Sequence, residues 1–386
     1  MSLGVALYVT GEDEKRIEGI WARIAAAGFP SPSQVAGQRP HVSLLNGEGD
    51  LRLAVDVGSQ LAERFARTGP IPCELQPVAF FARARRIAFY PVQETADIRA
   101  LQEAVYGIAV ASGVQIRDSY KPGKWVPHLS LSGDVPEHRK IEFSTAMRGQ
   151  ESQRPVVFGE AGVAWWERGT PLKQVALFQL DPKHLVRESY DRISHAYRGD
   201  TLPRDRGYFR WLDLLMPHLR EGDAVLDLGC GCGVPMAQEL AQRCDVTGID
   251  ISPIQIKRAR KLVPNGTFVC RDMATAEFEE GRFTAIVSLF SMFHLPLREH
   301  RPFLARMFSW LRPGGYLFIS LGHSAWTGYE MDWHGAPMYW SHADEQTSLK
   351  WLEEIGFEVL WQEFLPEGEG GHRIVLARRS SGGLDA

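Results

Sequence analysis

The chain alternates apolar and polar positions in two rhythms, and the balance between them shifts near the middle. "GVALYVT" has the two-residue period of a strand. Residues 12–28 then read as a helix: Ile17, Ile20, Trp21 and Ile24 share one face, and Gly28 stops it. "HVSLL" is a second strand, and residues 51–69 form a second amphipathic helix. "CELQPVAFF" and "RIAFYPV" resemble a strand pair, residues 96–113 a third helix, and "WVPHLSLSG" another strand. "VVFGEAGVAWWE" and "QVALFQL" close this half. The repeated order, helix and then a Pro-His-x-Ser-Leu strand, predicts two similar lobes of an α+β domain over residues 1–182.

Residues 181–205 are polar and read as a linker plus an entry helix. Beyond them, buried-strand runs such as "AVLDL" and "CDVTGIDIS" alternate with helical segments. Helix and strand at this spacing predict an α/β doubly wound, mostly parallel sheet over 183–380. Residues 381–386 read as a flexible tail.

The strand period gives the first candidate chemistry. On a strand, residues two apart face one side, so His41 points with Ser43 and His128 with Ser130. Val42, Leu44, Leu129 and Leu131 point the other way, into a core. Of the 12 histidines, only these two have Ser or Thr two residues on. If the lobes are related by a pseudo-twofold, the pairs converge. One neutral imidazole could then take a proton while a protonated one donates, as in-line displacement at phosphorus requires. The serine hydroxyls could hold phosphoryl oxygens. Arg83, Arg85, Arg86, Lys124 and Tyr120 are candidates for helping with phosphate. With these two motifs, residues 1–180 resemble the 2H phosphoesterase superfamily, which includes 2'-5' RNA ligase-like proteins. The resemblance implies a bilobal fold and cyclic phosphodiesterase activity on 2',3'-cyclic or 2'-5' phosphoesters of nucleotides or RNA ends.

The second candidate is "VLDLGCGCG", a buried strand ending in a glycine turn. Glycines there allow a ligand to approach the backbone. Asp250 ends the next strand, where it can accept from ribose hydroxyls. Asp272 and Met273 end a third, suited to an adenine, and Leu289 and Phe290 follow a fourth. A dehydrogenase is the rival, but the D-x-G-x-G-x-G form with two downstream acids, together with "LRPGGYLFIS", resembles class I S-adenosylmethionine-dependent methyltransferases, whose fold is Rossmann-like. The resemblance implies that Gly229, Cys230, Gly231 and Gly233 line the methionine part of S-adenosyl-L-methionine, with Asp227 in support. It also implies that Asp250 and Ile251 hold the ribose, Asp272 and Met273 the adenine, and Leu289 a border. His294, just after the fourth strand, is a candidate base. The aromatic insertion from Gly322 to Asp344 is a candidate lid.

Composition narrows the partners. A net charge of −4 supplies no broad electrostatic pull toward nucleic acid. Five cysteines lack metal-ligand spacing, so no metal site and a reducing, cytoplasmic setting are expected. The N-terminus lacks the basic region of a signal peptide, and no apolar run approaches the ~20 residues of a membrane span. The leading expectation is a bifunctional enzyme: a phosphodiesterase, plus methyl transfer to a small-molecule or nucleotide acceptor. Two alternatives stand beside it. One is a small-molecule methyltransferase with a non-catalytic, phosphate-binding N-terminal domain. The other is an RNA-terminus ribose methyltransferase.

Overall fold

The computed structural model describes residues 1–81, 87–133, 135–148, 154–167, 170–204, 207–368 and 370–380. The chain divides into two compact units, Met1–His184 and Leu185–Ala386.

The first unit holds strands β1 (Ser2–Val9), β2 (His41–Glu48), β3 (Ile71–Cys73), β4 (Ala79–Phe80), β5 (Ala88–Pro91), β6 (Gln115–Ile116), β7 (His128–Ser132), β8 (Val156–Trp166) and β9 (Lys173–Gln179). Its helices are α1 (Gly11–Ala26), α2 (Pro32–Val35), α3 (Leu51–Ala66), α4 (Ala96–Ala111) and α5 (Lys140–Ala146). Local chemistry starts them: Asp50 and Thr95 cap α3 and α4 by accepting from the N–H groups of Leu53 and Ile98. The sheet runs β3-β8-β1-β2-β7-β5-β4, with β6 added beside β2 and β9 beside β8. The predicted repeat is present as β1-α1-β2 and β5-α4-β7, and in each copy the two strands pair antiparallel.

The copies meet where β2 pairs antiparallel with β7, Val42 opposite Leu129. An antiparallel pair has a local twofold axis normal to the sheet. Here it passes between Val42 and Leu129 and exchanges His41 with His128 and Ser43 with Ser130. Val42, Leu44, Leu129 and Leu131 are fully buried in one core with Ile17, Ile24, Ile98 and Val105 of α1 and α4. The helices interlock in a crossed manner. Trp21 of α1 donates its indole N–H to the Ser130 carbonyl at 3.0 Å. Gln102 of α4 donates to the carbonyls of Leu44 at 3.4 Å and Tyr120 at 2.8 Å. Each half thus fixes the backbone of the other half's histidine strand.

The second unit starts within α6 (Pro182–Tyr197) and continues with α7 (Gly207–Leu215), β10 (Ala224–Leu228), α8 (Met236–Leu240), β11 (Asp245–Asp250), α9 (Pro253–Leu262), β12 (Thr267–Cys270), β13 (Phe283–Ser288), α10 (Leu297–Trp310) and β14 (Leu311–Gly322). It ends with β15 (Trp326–Trp333), β16 (Ala336–His342), α11 (Glu345–Ile355), β17 (Phe357–Glu367) and β18 (Gly370–Arg379). The sheet order is β12-β11-β10-β13-β14-β18-β17. The first five strands are parallel, and β18 lies antiparallel to β14. The strand order reverses between β10 and β13, which opens a crevice beyond their carboxyl ends. The aromatic insertion is the hairpin β15–β16. Its Ala336, Met338 and Tyr339 form a small core with Leu185, Val186 and Ile193 of α6.

Candidate functional sites

In the first unit, burial alternates along β2 and β7, leaving His41, Ser43, His128 and Ser130 half-buried on one face. The register sets His41 across from Ser130 and Ser43 across from His128, so the imidazoles lie on one diagonal. Both rings are held alike: His41 Nδ1 lies 2.8 Å from the Arg39 carbonyl and His128 Nδ1 2.8 Å from the Val126 carbonyl. A carbonyl only accepts, so Nδ1 carries the proton in each neutral ring, which leaves Nε2 as the basic atom. Burial lowers the pKa of both rings below the ordinary imidazole value, and repulsion from His128 lowers that of His41 further. Burial raises the pKa of Tyr120, and the neighbouring Ser43 side chain offsets part of that rise. Trp125 donates to the Ser43 carbonyl at 2.9 Å, matching Trp21 on Ser130.

The flanks of the pair differ. A cavity of about 350 Å³ opens from His41 and Ser43 across β1 and β8, lined by Tyr8, Arg39, Trp166 and Gln174. His128 instead meets the edges of Phe81 and Phe89, with centroids at 5.0 and 5.4 Å. Arg39 is bonded to both Glu14 and Glu160. Lys124 is exposed and paired with Asp118 at 2.6 Å. Arg83, Arg85 and Arg86 lie outside the described residues.

In the second unit, Gly229, Gly231 and Gly233 all have left-handed backbone, with φ of 71°, 54° and 81°. A Cβ on Gly229 would come within 2.2 Å of Ser291 Cβ, whereas one on Gly231 would project into open space. The turn is therefore packed on one side and open on the other, as a cradle for a ligand must be. Gly229→Ala adds a left-handed strain to a clash, so we expect it to destabilise this unit by roughly 3 kcal/mol or more. Calorimetric unfolding of the C-terminal transition checks this; a loss under about 0.5 kcal/mol contradicts it.

A narrow cleft of about 50 Å³ at the turn is lined by Tyr197, Arg198, Tyr208, Asp227, the 229–232 backbone, Gln255 and Leu289. Asp250 Oδ2 accepts from the Gly231 N–H at 2.9 Å and Oδ1 from the Ser252 N–H at 2.8 Å. Burial raises the pKa of Asp250 to about 6. Burial, and then the Asp250 charge, raises that of Asp227 to about 7. Burial also keeps the Cys230 thiol neutral, its pKa well above the ordinary range, so it is no nucleophile.

Other expected residues sit farther from the cleft. Gly233 faces Ala259 of α9 and Val263 just beyond that helix, which makes it a packing glycine. Ile251 packs with the small core of α6 and the hairpin. Asp272 caps a short turn through the Ala274 N–H at 2.8 Å, and Met273 is buried.

His294 is buried, and both its ring nitrogens are occupied. Nδ1 lies 2.8 Å from the Tyr339 carbonyl and so donates to it. Nε2 lies 2.9 Å from the Tyr190 hydroxyl and therefore accepts. Burial lowers its pKa to about 4. In this arrangement it ties α6 to the hairpin, with no free nitrogen to act as a base.

Arg198, Tyr197, Tyr208 and Gln255 are cleft residues that sequence reasoning missed. Arg198 donates to the Tyr208 hydroxyl at 2.9 Å and lies over the Tyr197 and Tyr208 rings at 5.2 and 4.8 Å. The available signal was Tyr190 and Tyr197, seven positions apart on one face of α6. Among the described residues, no cluster of His, Cys, Asp and Glu could hold a metal ion, and no helix is long and apolar enough to cross a membrane.

The paired His-x-Ser strands and the switch-point cleft define a two-domain protein of phosphoesterase-like and methyltransferase-like halves. Comparison with known families agrees: residues 13–170 match the 2'-5' RNA ligase superfamily and residues 225–315 a methyltransferase domain. The chain joins a 2'-5' RNA ligase superfamily domain to a methyltransferase domain. A ubiquinone biosynthesis O-methyltransferase of Methylocella silvestris is 32% identical over 42% of this chain and 60% of its own length. Human glycine N-methyltransferase is 31% identical over 33% of this chain and 50% of its own. The chain thus spans about half the length of such curated relatives. A magnesium protoporphyrin IX methyltransferase from Synechocystis, solved with bound S-adenosylhomocysteine, aligns over 52% of this chain and 100% of its own, at 20% identity and a TM-score of 0.41.

Proposed function

We propose that the chain is a bifunctional enzyme. Residues 1–182 hydrolyse a 2',3'-cyclic or 2'-5' phosphoester of a nucleotide or RNA end. Residues 183–380 transfer a methyl group from S-adenosylmethionine to a small-molecule or nucleotide acceptor. The observation that carries the first half is the symmetric histidine pair, each ring with its proton on Nδ1 and its Nε2 without a hydrogen bond among the described residues. One Nε2 takes a proton from the attacking oxygen. The other ring, protonated, gives one to the leaving oxygen. Ser43 and Ser130 hold the non-bridging oxygens, and Tyr120 orients Ser43.

For the second half the support is the cradle: three left-handed glycines, an open side at Gly231 and buried acids beside it. S-adenosylmethionine supplies a methyl group already activated on sulfur. The residues present fit it. Gly229 to Gly231 border its methionine part, with Asp227 near the ammonium and the Arg198 guanidinium available to its carboxylate. Asp250 accepts from the ribose hydroxyls, while Asp272 and Met273 frame the adenine. Leu289 and the aromatic side chains shield the reacting atoms from water. His294 holds the hairpin in place over this end of the sheet. The five cysteines are free thiols, which suits a cytoplasmic protein.

Nucleoside 2',3'-cyclic phosphates should be opened to monophosphates, read by chromatography. S-adenosylhomocysteine should bind in a calorimeter with one site per chain. Absence of turnover removes the first half, and absence of binding the second.

A further inference from the structure

The two histidine strands open in the same way at the level of the backbone. Arg39-Pro40 precedes His41, and Val126-Pro127 precedes His128. The Pro40 carbonyl accepts from the Val9 N–H at 2.9 Å and the Pro127 carbonyl from the Val92 N–H at 3.0 Å. The carbonyl two residues before each histidine meets that ring's Nδ1 at 2.8 Å. A proline confines the residue before it to extended backbone, so neither carbonyl can swing away by rotation at that residue alone. To lose its imidazole, the whole residue has to tilt.

The side chains that could resist such a tilt differ. Val126 is apolar and 47% exposed. Arg39 is gripped from three elements. Its Nε and one terminal nitrogen donate to the two carboxylate oxygens of Glu14 on α1, at 2.6 and 3.0 Å. The other terminal nitrogen donates to Glu160 on β8. The guanidinium also lies 5.3 Å over the ring of Tyr8 on β1, the residue opposite His41 in the strand register. Tyr8 in turn donates to Gln174 at 3.1 Å. Paired bonds from one guanidinium fix its plane as well as its place. Two carboxylates also neutralise the cation, so Arg39 lines the cavity beside His41 without charge to spare for a phosphate.

We propose that Arg39 is a positioning residue for His41. Glu14 and Glu160 hold its guanidinium, the held side chain steadies its backbone carbonyl, and the carbonyl keeps the His41 proton on Nδ1. The purpose of this brace rests on the phosphodiesterase reading. His128 has the same backbone bond without the brace, which makes it the looser ring and an internal control.

The test is nitrogen-resolved NMR of the full chain, labelled in its histidines, at a pH where both rings are neutral. His41→Ala and His128→Ala assign the two signals. The triple variant Arg39→Met, Glu14→Gln and Glu160→Gln removes the brace and leaves no unpaired charge. We expect the Nε2–H form of His41 to grow about 3- to 10-fold, with that of His128 changed by less than about 1.5-fold. Glu14→Gln alone, on α1 and apart from the cavity lining, should shift His41 the same way by less, and it decides the matter if the triple variant does not fold. With nucleoside 2',3'-cyclic phosphates, Glu14→Gln should lower kcat about two- to fivefold and leave KM within about twofold. An unchanged His41 tautomer would overturn the proposal. So would equal shifts in both rings, which mark a merely structural contact, or a change in KM alone, which places Arg39 on the substrate instead. If the unmodified chain opens no cyclic phosphate, the phosphodiesterase reading falls, while the NMR still decides whether Arg39 holds His41.

Discussion

Alanine at His41 or at His128 is expected to cut the hydrolysis of nucleoside 2',3'-cyclic phosphates by about 10²- to 10⁴-fold each, with the double variant little worse than either single one. In the proposed mechanism the two rings act as one device, one neutral and one charged, and losing either leaves the other without its complement. The fold should survive. The core side of these strands is made by Val42, Leu44, Leu129 and Leu131, which the substitutions do not touch. The pH profile is the second readout. Burial lowers both imidazole pKa values, and their mutual repulsion resists a second proton. Acid is therefore needed to charge the first ring, and more acid to charge both. The optimum of kcat/KM should lie on the acid side of about 6.5, the free imidazole value, and the rate should fall as the pH rises above it. A profile that climbs to a plateau at high pH would contradict the paired mechanism, and so would single variants that keep more than a tenth of the rate.

Cofactor affinity should fall steeply on acidification. Asp227 and Asp250 have pKa values raised to about 7 and about 6 in the ligand-free cleft, chiefly by burial. In the proposed site, a ligand that brings an ammonium and a sulfonium, and ribose hydroxyls to donate, binds the ionised carboxylates. Bound protons must then leave. Between pH 8 and pH 5 this weakens S-adenosylmethionine binding by about 10²- to 10³-fold, counting both groups. Calorimetry in buffers of different ionisation heat should show proton release near pH 6.5, and Asp227→Asn should remove much of it. An affinity flat across this range would rule the effect out. Without ligand, the sign for stability is opposite to that of a salt-bridged acid. Between about 4 and 7 the folded state keeps protons that the unfolded chain has lost, so these two groups make folding less favourable as the pH rises through that window.

Much of this was legible in the chain because periodicity reports burial directly. The alternation in "HVSLL" and "HLSLS" placed two histidines and two serines on one face, and the glycine turn marked the end of a buried strand. Pairing was not legible. Nothing local says that β2 and β7 are neighbours, and this contact puts the four side chains together. One short element escaped for a related reason: β6 has two residues, too few for a period to show. The aromatic content of the insertion suited a lid and packing over the sheet edge equally, and in the fold its hairpin packs Met338 and Tyr339 on α6, with His294 as the tie. Arg198 and Gln255 were invisible because their place in the cleft comes from the fold around them. Arg198 lay in a polar stretch that read as a linker, and Gln255 on a helix with no motif to mark it.

The dyad through Val42 and Leu129 has one more consequence. A two-handed device whose hands are interchangeable cannot by itself tell the head of a substrate from its tail. Polarity has to come from the walls, which differ: a roomy aromatic gallery beyond His41, and the edges of Phe81 and Phe89 against His128. If the proposed hydrolysis takes place here, redesign of those walls, with the histidines left alone, should be the route to reversing which end of a phosphoester is preferred.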